Sequence, residues 1–415
     1  MQRMSRWGSS PGRGERGISG LELLSAAAAN AAAGTLFAWS MLLPALSARL
    51  DRPVGDIGPV FSTGLVAFTI AVLLSGAVIN RYGLRRATVL AARFSGGGLC
   101  LGAYAGSVLL LHLGIGVLFG FGSGLAYLSA ESWATAQSGH RRMWAVSAVV
   151  ASYAAGPVVA APLGGLGEGR WGSQATLLVA AVTVGGIMML ASRGLPGRPT
   201  QSPQADGVGS RPTAVTAEPR PGGAAVAMAA LWVFSVGAFA PGLLGFASAA
   251  NIVTQRGMSP HGAGVTVALM AVANLAGRLM AAPLTRRLGI PTAMATTLGA
   301  TALASVALAG TNGAVVSMIG LSLLGAPYGI TSALLPLATR EVSGKDRFAT
   351  AFGRNFSSWG VAGLWGPAVG AGLYDEASGY SRGFEVMLLS ASVAAVALVI
   401  YNRRLHTDAY ATPRS

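Results

Sequence analysis

Arg93, Arg278, Arg354 and Glu131 are charged residues inside stretches of sequence that are otherwise apolar. Burying a charge in apolar surroundings is costly, so each implies a partner, a route to water, or a function. Arg278 offers the most specific chemistry. Its planar guanidinium can hold a carboxylate through two parallel, charge-assisted hydrogen bonds. At about 1.5 Å per helical residue it sits roughly 10 Å inside its apolar run. Arg354 and Arg93 lie nearer the ends of theirs, where a long side chain can bend its stem and place its head in water. Glu131 is the acid deepest within a run, suited either to proton chemistry or to pairing with a loop arginine. Other chemistries lack their residues. The single cysteine, Cys100, cannot form an intrachain disulfide. No Ser-His-Asp set, metal-ligand cluster or phosphate-cradling glycine loop occurs at usable spacing. His112 and His261 fall at the edges of runs. Neither enzyme activity nor a metal or cofactor is expected.

The elements that position these charges follow from composition. Of 415 residues, 52% are apolar and 10% are charged, whereas a soluble domain carries about 25% charged residues. A bilayer core of about 30 Å needs roughly 20 apolar residues per helix. Twelve runs meet that need: 22–47, 57–79, 87–107, 109–134, 143–167, 171–192, 223–251, 263–284, 291–309, 313–338, 348–373 and 384–401, with runs seven and eleven the most polar. The 59 glycines fit helices that approach closely through small residues. The expected fold is an all-α membrane protein with twelve transmembrane helices in two six-helix bundles.

Charge sets the expected orientation. With both termini in the cytoplasm, 21 of the 29 basic residues fall in inside segments, five outside and three within runs. Cytoplasmic loops carry such an excess, so the net charge of +15 is a topology signal and not a nucleic-acid surface. The expected division is an N-terminal tail 1–21, a bundle 22–192, a Pro-, Gly- and Arg-rich cytoplasmic linker 193–222, a second bundle 223–401 and a tail 402–415. The halves also echo each other. Gly83 and Gly289 each follow a basic helix end, 206 residues apart, and Gly156-Pro157 and Gly366-Pro367 lie 210 apart. Duplicated six-helix units place a substrate site between the halves near mid-membrane.

The turn after run two, Gly76-Ala77-Val78-Ile79-Asn80-Arg81-Tyr82-Gly83-Leu84-Arg85-Arg86, resembles the G-x-x-x-D-R-x-G-R-R loop of the major facilitator superfamily, with Asn80 in place of the acid and one residue inserted. The resemblance gives Asn80, Arg81, Arg85 and Arg86 a gating role. Gly34-Thr35-Leu36-Phe37-Ala38-Trp39-Ser40, Asn274-Leu275-Ala276-Gly277-Arg278, and Gly360 through Pro367 followed by Leu373-Tyr374-Asp375 are similar to the oxalate–formate antiporter and monocarboxylate transporter branch. In that branch the arginine at the position of Arg278 binds the substrate carboxylate. Tyr127, Tyr153 and Tyr328 match aromatics that line its central cavity, and Phe37 stands where it has a tyrosine. Oxalate carriers have a lysine at the position of Trp359 that pairs with a second carboxylate; its replacement favours a monocarboxylate. Monocarboxylate carriers have an acid at the position of Asn274 and a lysine at that of Met41, so exchange, facilitated movement and coupling through the substrate's own carboxylate all stay open, with Glu131, Asn274 and Arg354 as candidate coupling or gating residues.

The resemblance thus implies a secondary transporter for a small organic anion, monomeric in the plasma (inner) membrane and working with protons or a counter-anion. An exporter of hydrophobic drugs or metabolites is the alternative, and a non-transporting sensor a third reading. A charge in the cavity argues for the anion. The orientation is directly testable: a reporter active only outside the cell, fused after Pro212, is expected to be silent, and activity there would invert the topology.

Overall fold

The computed structural model describes residues 19–137, 139–197, 221–344, 347–375 and 378–410. The centre of the expected linker, 198–220, and the chain ends 1–18 and 411–415 lie outside the described residues. Nine helical stretches among the described residues are long and apolar enough to cross a membrane. One contains the 45-residue helix Pro59–Ala103 and another lies in the 56-residue helix Gly139–Gly194. A straight helix of 45 residues would run about 68 Å, more than twice the bilayer core. Each is broken at a glycine of positive φ, Gly83 at 80° and Gly172 at 76°, a conformation that strains any L-residue. Each stretch is therefore a pair of spans. The helix Phe348–Gly372, more polar and outside the nine, completes twelve.

The spans are α1 (Gly20–Met41), α2 (59–82), α3 (84–103), α4 (Val108–Thr135), α5 (139–171), α6 (173–194), α7 (Pro221–Gln255), α8 (Pro260–Leu288), α9 (Ile290–Gly310), α10 (Ala314–Ser343), α11 (Phe348–Gly372) and α12 (Ser381–Tyr410). An even number of spans puts the start of α1 and the end of α12 on one side, here termed the termini face. Run one was expected to be a single helix over 22–47. Instead α1 tightens into a seven-residue 3-10 segment, Thr35–Met41, followed by a separate short helix, Leu43–Leu50. Run seven was expected to be among the most polar, yet α7 is among the nine apolar stretches, because its glycines and alanines carry no polar side chains.

The duplication appears in the packing. Gly120 and Gly124 of α4 lie on the backbone of Gly64 and Phe68 of α2, and Gly325 and Gly329 of α10 lie in the same way on Met270 and Asn274 of α8. Gly156 of α5 abuts the carbonyl of Ala31 on α1, and Gly366 of α11 that of Ala240 on α7. Glycine permits such approach because it has no Cβ. The outer helix ends repeat as well. Arg49 donates to the carbonyls of Gly102, Ala103 and Ala105 at distances of 2.9–3.2 Å. Arg256 donates to Leu308 O near the end of α9 and to Ser317 Oγ in the first turn of α10. Both cations cap carbonyls at the end of the third helix of their half.

A Cβ at Gly124 would overlap the carbonyl oxygen of Phe68, whereas one at Gly76 meets nothing. Gly124→Leu is expected to cost about 1–3 kcal/mol or more through overpacking, read as earlier thermal unfolding in detergent. Gly76→Leu should unfold with the wild type.

Candidate functional site

Arg278 lies ten residues before the end of α8 at Leu288, which puts it about 15 Å from the termini-face end. It is deeper than the sequence run suggested, because the helix continues past residue 284. Its Nε donates to Oδ1 of Asn274, one turn earlier, at 3.3 Å. Asn274 is buried, with its carbonyl pressed on Gly329 of α10. A neutral amide thus orients the guanidinium without cancelling its charge. The guanidinium approaches the Tyr127 hydroxyl on α4, and its field also acts on Glu131 of α4, Tyr153 of α5 and Tyr328 of α10. One cation, one carboxyl and three phenols from both halves therefore converge.

Two of these groups have spare bonding capacity: Oε1 of Glu131 and the Tyr153 hydroxyl are buried without a hydrogen-bond partner among the described residues. The Tyr328 hydroxyl accepts from Nε1 of Trp359 on α11 at 2.8 Å. Around them the rings are contiguous. Tyr127 and Tyr153 have centroids 5.2 Å apart, and Phe37 is 5.9 Å from Tyr153, 6.3 Å from Tyr328 and 6.5 Å from Trp359. Phe37 sits in the 3-10 segment, within a span whose hydrogen bonding has already loosened.

Further rings that sequence reading did not single out join the cluster, Phe61 at 5.7 Å from Phe37 and Phe239 at 5.5 Å from Tyr328, and two more that the repeat relates to other positions. Phe68 of α2 lies 5.5 Å from Tyr127 and 5.1 Å from Trp359, and Phe246 of α7 lies 4.9 Å from Phe37. The repeat could have found both. Phe68 stands to Gly124 as Asn274 stands to Gly329, and Phe246 lies six residues past Ala240 as Phe37 lies six past Ala31. Phe37 and Phe246 are thus counterparts that meet where the two halves join.

The remaining expected residues lie apart. Asn80, Arg81, Arg85 and Arg86 are exposed at the α2–α3 turn on the termini face. Arg81 lies over the Tyr82 ring at 5.5 Å, and the Arg85 amide donates to the carbonyl of Pro196 at 3.3 Å. Arg354 is exposed on α11, its carbonyl taking the Ser357 hydroxyl. Among the described residues none of these arginines forms an ion pair; the one pair within 4.0 Å is Arg382 with Asp375.

The glycine contacts between the halves lie toward the face opposite the termini. There Gly264 of α8 meets Ala161 of α5, Gly360 and Gly363 of α11 meet Thr69 and Leu65 of α2, and Gly58 meets Ala371. Arg278, Glu131 and Tyr127 lie on the termini side of these seals and remain partly accessible.

Residues 24–367 match the family model of the Major Facilitator Superfamily. The chain belongs to that superfamily. Among curated relatives, an uncharacterized MFS-type transporter of Escherichia coli, YhjX, is 36% identical over 99 residues, 23% of this chain and 24% of that one. Human monocarboxylate transporter 11 is 25% identical over 260 residues, 60% of this chain and 52% of the relative. The matches thus span about a quarter and about half of those two proteins. Among solved structures, the nucleoside transporter NupG superposes with a TM-score of 0.71 at 14% identity, covering 92% of this chain and 99% of that one. A peptide transporter, POT, superposes with a TM-score of 0.74 at 16% identity, covering 94% and 97%. At such identity these likenesses show the fold: an all-α, multi-pass membrane protein of two six-helix bundles.

Proposed function

We propose that this carrier moves a small organic anion, a monocarboxylate, by alternating access, with Arg278 as the carboxylate clamp. The observation that carries the reading is the charge of Arg278, held by a neutral Asn274 where tyrosines of both halves converge. Its two terminal nitrogens present a paired donor edge, and Tyr127 and Tyr153 supply hydroxyls beside it. Trp359 in place of a second cation leaves no countercharge for a dianion. The likeness to a monocarboxylate transporter over 60% of this chain supports the same class. The protein is read as a monomer in the plasma (inner) membrane with both termini cytoplasmic, the site then facing the cytoplasm. In the outward-facing state the seals between α2 and α11 and between α5 and α8 would part.

Coupling is assigned to Glu131. The groups facing its carboxyl are Arg278 from the second half and Tyr127 on its own helix. When ionised it competes with the substrate for Arg278; when protonated it releases the guanidinium. Carboxylate binding should therefore tighten as pH falls. The loop residues Asn80, Arg81, Arg85 and Arg86, with Arg354 on α11, are assigned to the cytoplasmic gate, where they can exchange partners between states.

Two measurements test this. Arg278→Lys keeps the charge but loses the paired geometry, and a charge-assisted hydrogen bond contributes about 1.5–3 kcal/mol, so carboxylate affinity should fall about tenfold to a hundredfold. Arg278→Gln should abolish uptake while the protein still reaches the membrane. Near-normal uptake by Arg278→Lys at matched expression would remove the clamp. Separately, Glu131→Gln should bind carboxylate with little dependence on pH between 5 and 8, whereas the wild type should favour acid. An unchanged pH profile in the variant would exclude Glu131 as the coupling group.

A further inference from the structure

Resting on the carboxylate reading, we infer that the substrate carries an aromatic ring on its single carboxylate, and that a ladder of rings on α11 receives it. Phe348, Phe352, Phe356 and Trp359 recur at spacings of four, four and three along α11, which keeps them on one helix face. Their rings form a continuous series. Phe348 and Phe352 stack at 5.5 Å and 20°, Phe352 and Phe356 lie at 5.9 Å, and Phe356 and Trp359 stack at 5.7 Å and 21°. The same face continues through Gly360 and Gly363, which pack against Thr69 and Leu65 of α2. The ladder is therefore the part of the interhalf face that lies on the termini side of the seal. Phe348, Phe352 and Phe356 are only half-buried.

The ladder ends at the height of the clamp. Trp359 lies eleven residues from the start of α11 and Arg278 ten from the end of α8, so both lie about 15–17 Å from the termini face. Trp359 is tied to Tyr328 by the hydrogen bond between them, and Tyr328 lies within the field of Arg278. A carboxylate on Arg278 thus has its substituent beside an aromatic wall. A short aliphatic acid offers that wall little surface. A ring gains offset or edge contacts with Trp359 and Phe356, each favourable beyond the area it buries. Such a ligand matches both halves of the site, one charge for one cation and one ring for the ladder.

The test is equilibrium binding of phenylacetate, propionate and phenylacetamide to the full-length protein in lipid nanodiscs. One or two ring contacts correspond to about a tenfold preference for phenylacetate over propionate. Phenylacetamide, lacking the charge, should not bind saturably. Phe356→Leu and Trp359→Leu should each narrow the preference to about threefold or less, whereas Trp359→Phe, which keeps a ring, should retain most of it. Equal affinity for phenylacetate and propionate, or a preference untouched in both leucine variants, would overturn the inference and leave the small-anion reading standing. Absence of binding by both carboxylates would remove the clamp reading and this inference with it.

Discussion

A glycine packed against a backbone carbonyl is the contact on which the rest of this molecule depends. Lipid is as apolar as leucine, so the hydrophobic effect does little to press one membrane helix on another, and close van der Waals fit takes its place. Here the fit is made where Gly120 and Gly124 meet α2, where Gly325 and Gly329 meet α8, and where Gly156 and Gly366 meet α1 and α7. The crossing that holds α8 to α10 also sets the chemistry. Gly329 presses on Asn274, and Asn274 fixes the guanidinium of Arg278. Bundle packing and charge placement are consequences of one contact.

The electrostatics follow from what the pseudo-symmetry does not repeat. Phe68 occupies in the first half the place that Asn274 holds in the second, so one half presents an apolar ring where the other presents an amide and, a turn later, a cation. The two bundles close around a charge supplied by one of them and hydroxyls supplied by both. Glu131 reaches toward that charge from the other bundle, with one oxygen unpaired among the described residues. The site is thus asymmetric in charge on a scaffold that is nearly symmetric in backbone.

Much of this was legible in the sequence. Apolar runs place twelve spans, because bilayer thickness fixes helix length. The six expected site residues Phe37, Tyr127, Tyr153, Arg278, Tyr328 and Trp359 do come together. What was not legible depended on contacts between distant segments. Phe68 and Phe246 look like any lipid-facing phenylalanine until the offset between the halves pairs them with Asn274 and Phe37. Arg49 and Arg256 read as outside charges, and only the fold shows each capping a third helix. The 3-10 winding of α1 left no mark in hydropathy, since apolar residues satisfy either winding equally.

That winding has a mechanical consequence. A 3-10 turn rises about 2.0 Å per residue against 1.5 Å in an α-helix. The seven residues Thr35–Met41 are therefore stretched by about 3–4 Å relative to the rest of α1. Each residue also advances 120° rather than 100° around the axis. Relaxing the segment to α-helix would shorten the strut between the termini face and the opposite face. It would also swing the Phe37 ring away from Phe246. Length and rotation are geared together in this one segment, so a pull along the helix axis is converted into a turn of the ring that lies between the two halves.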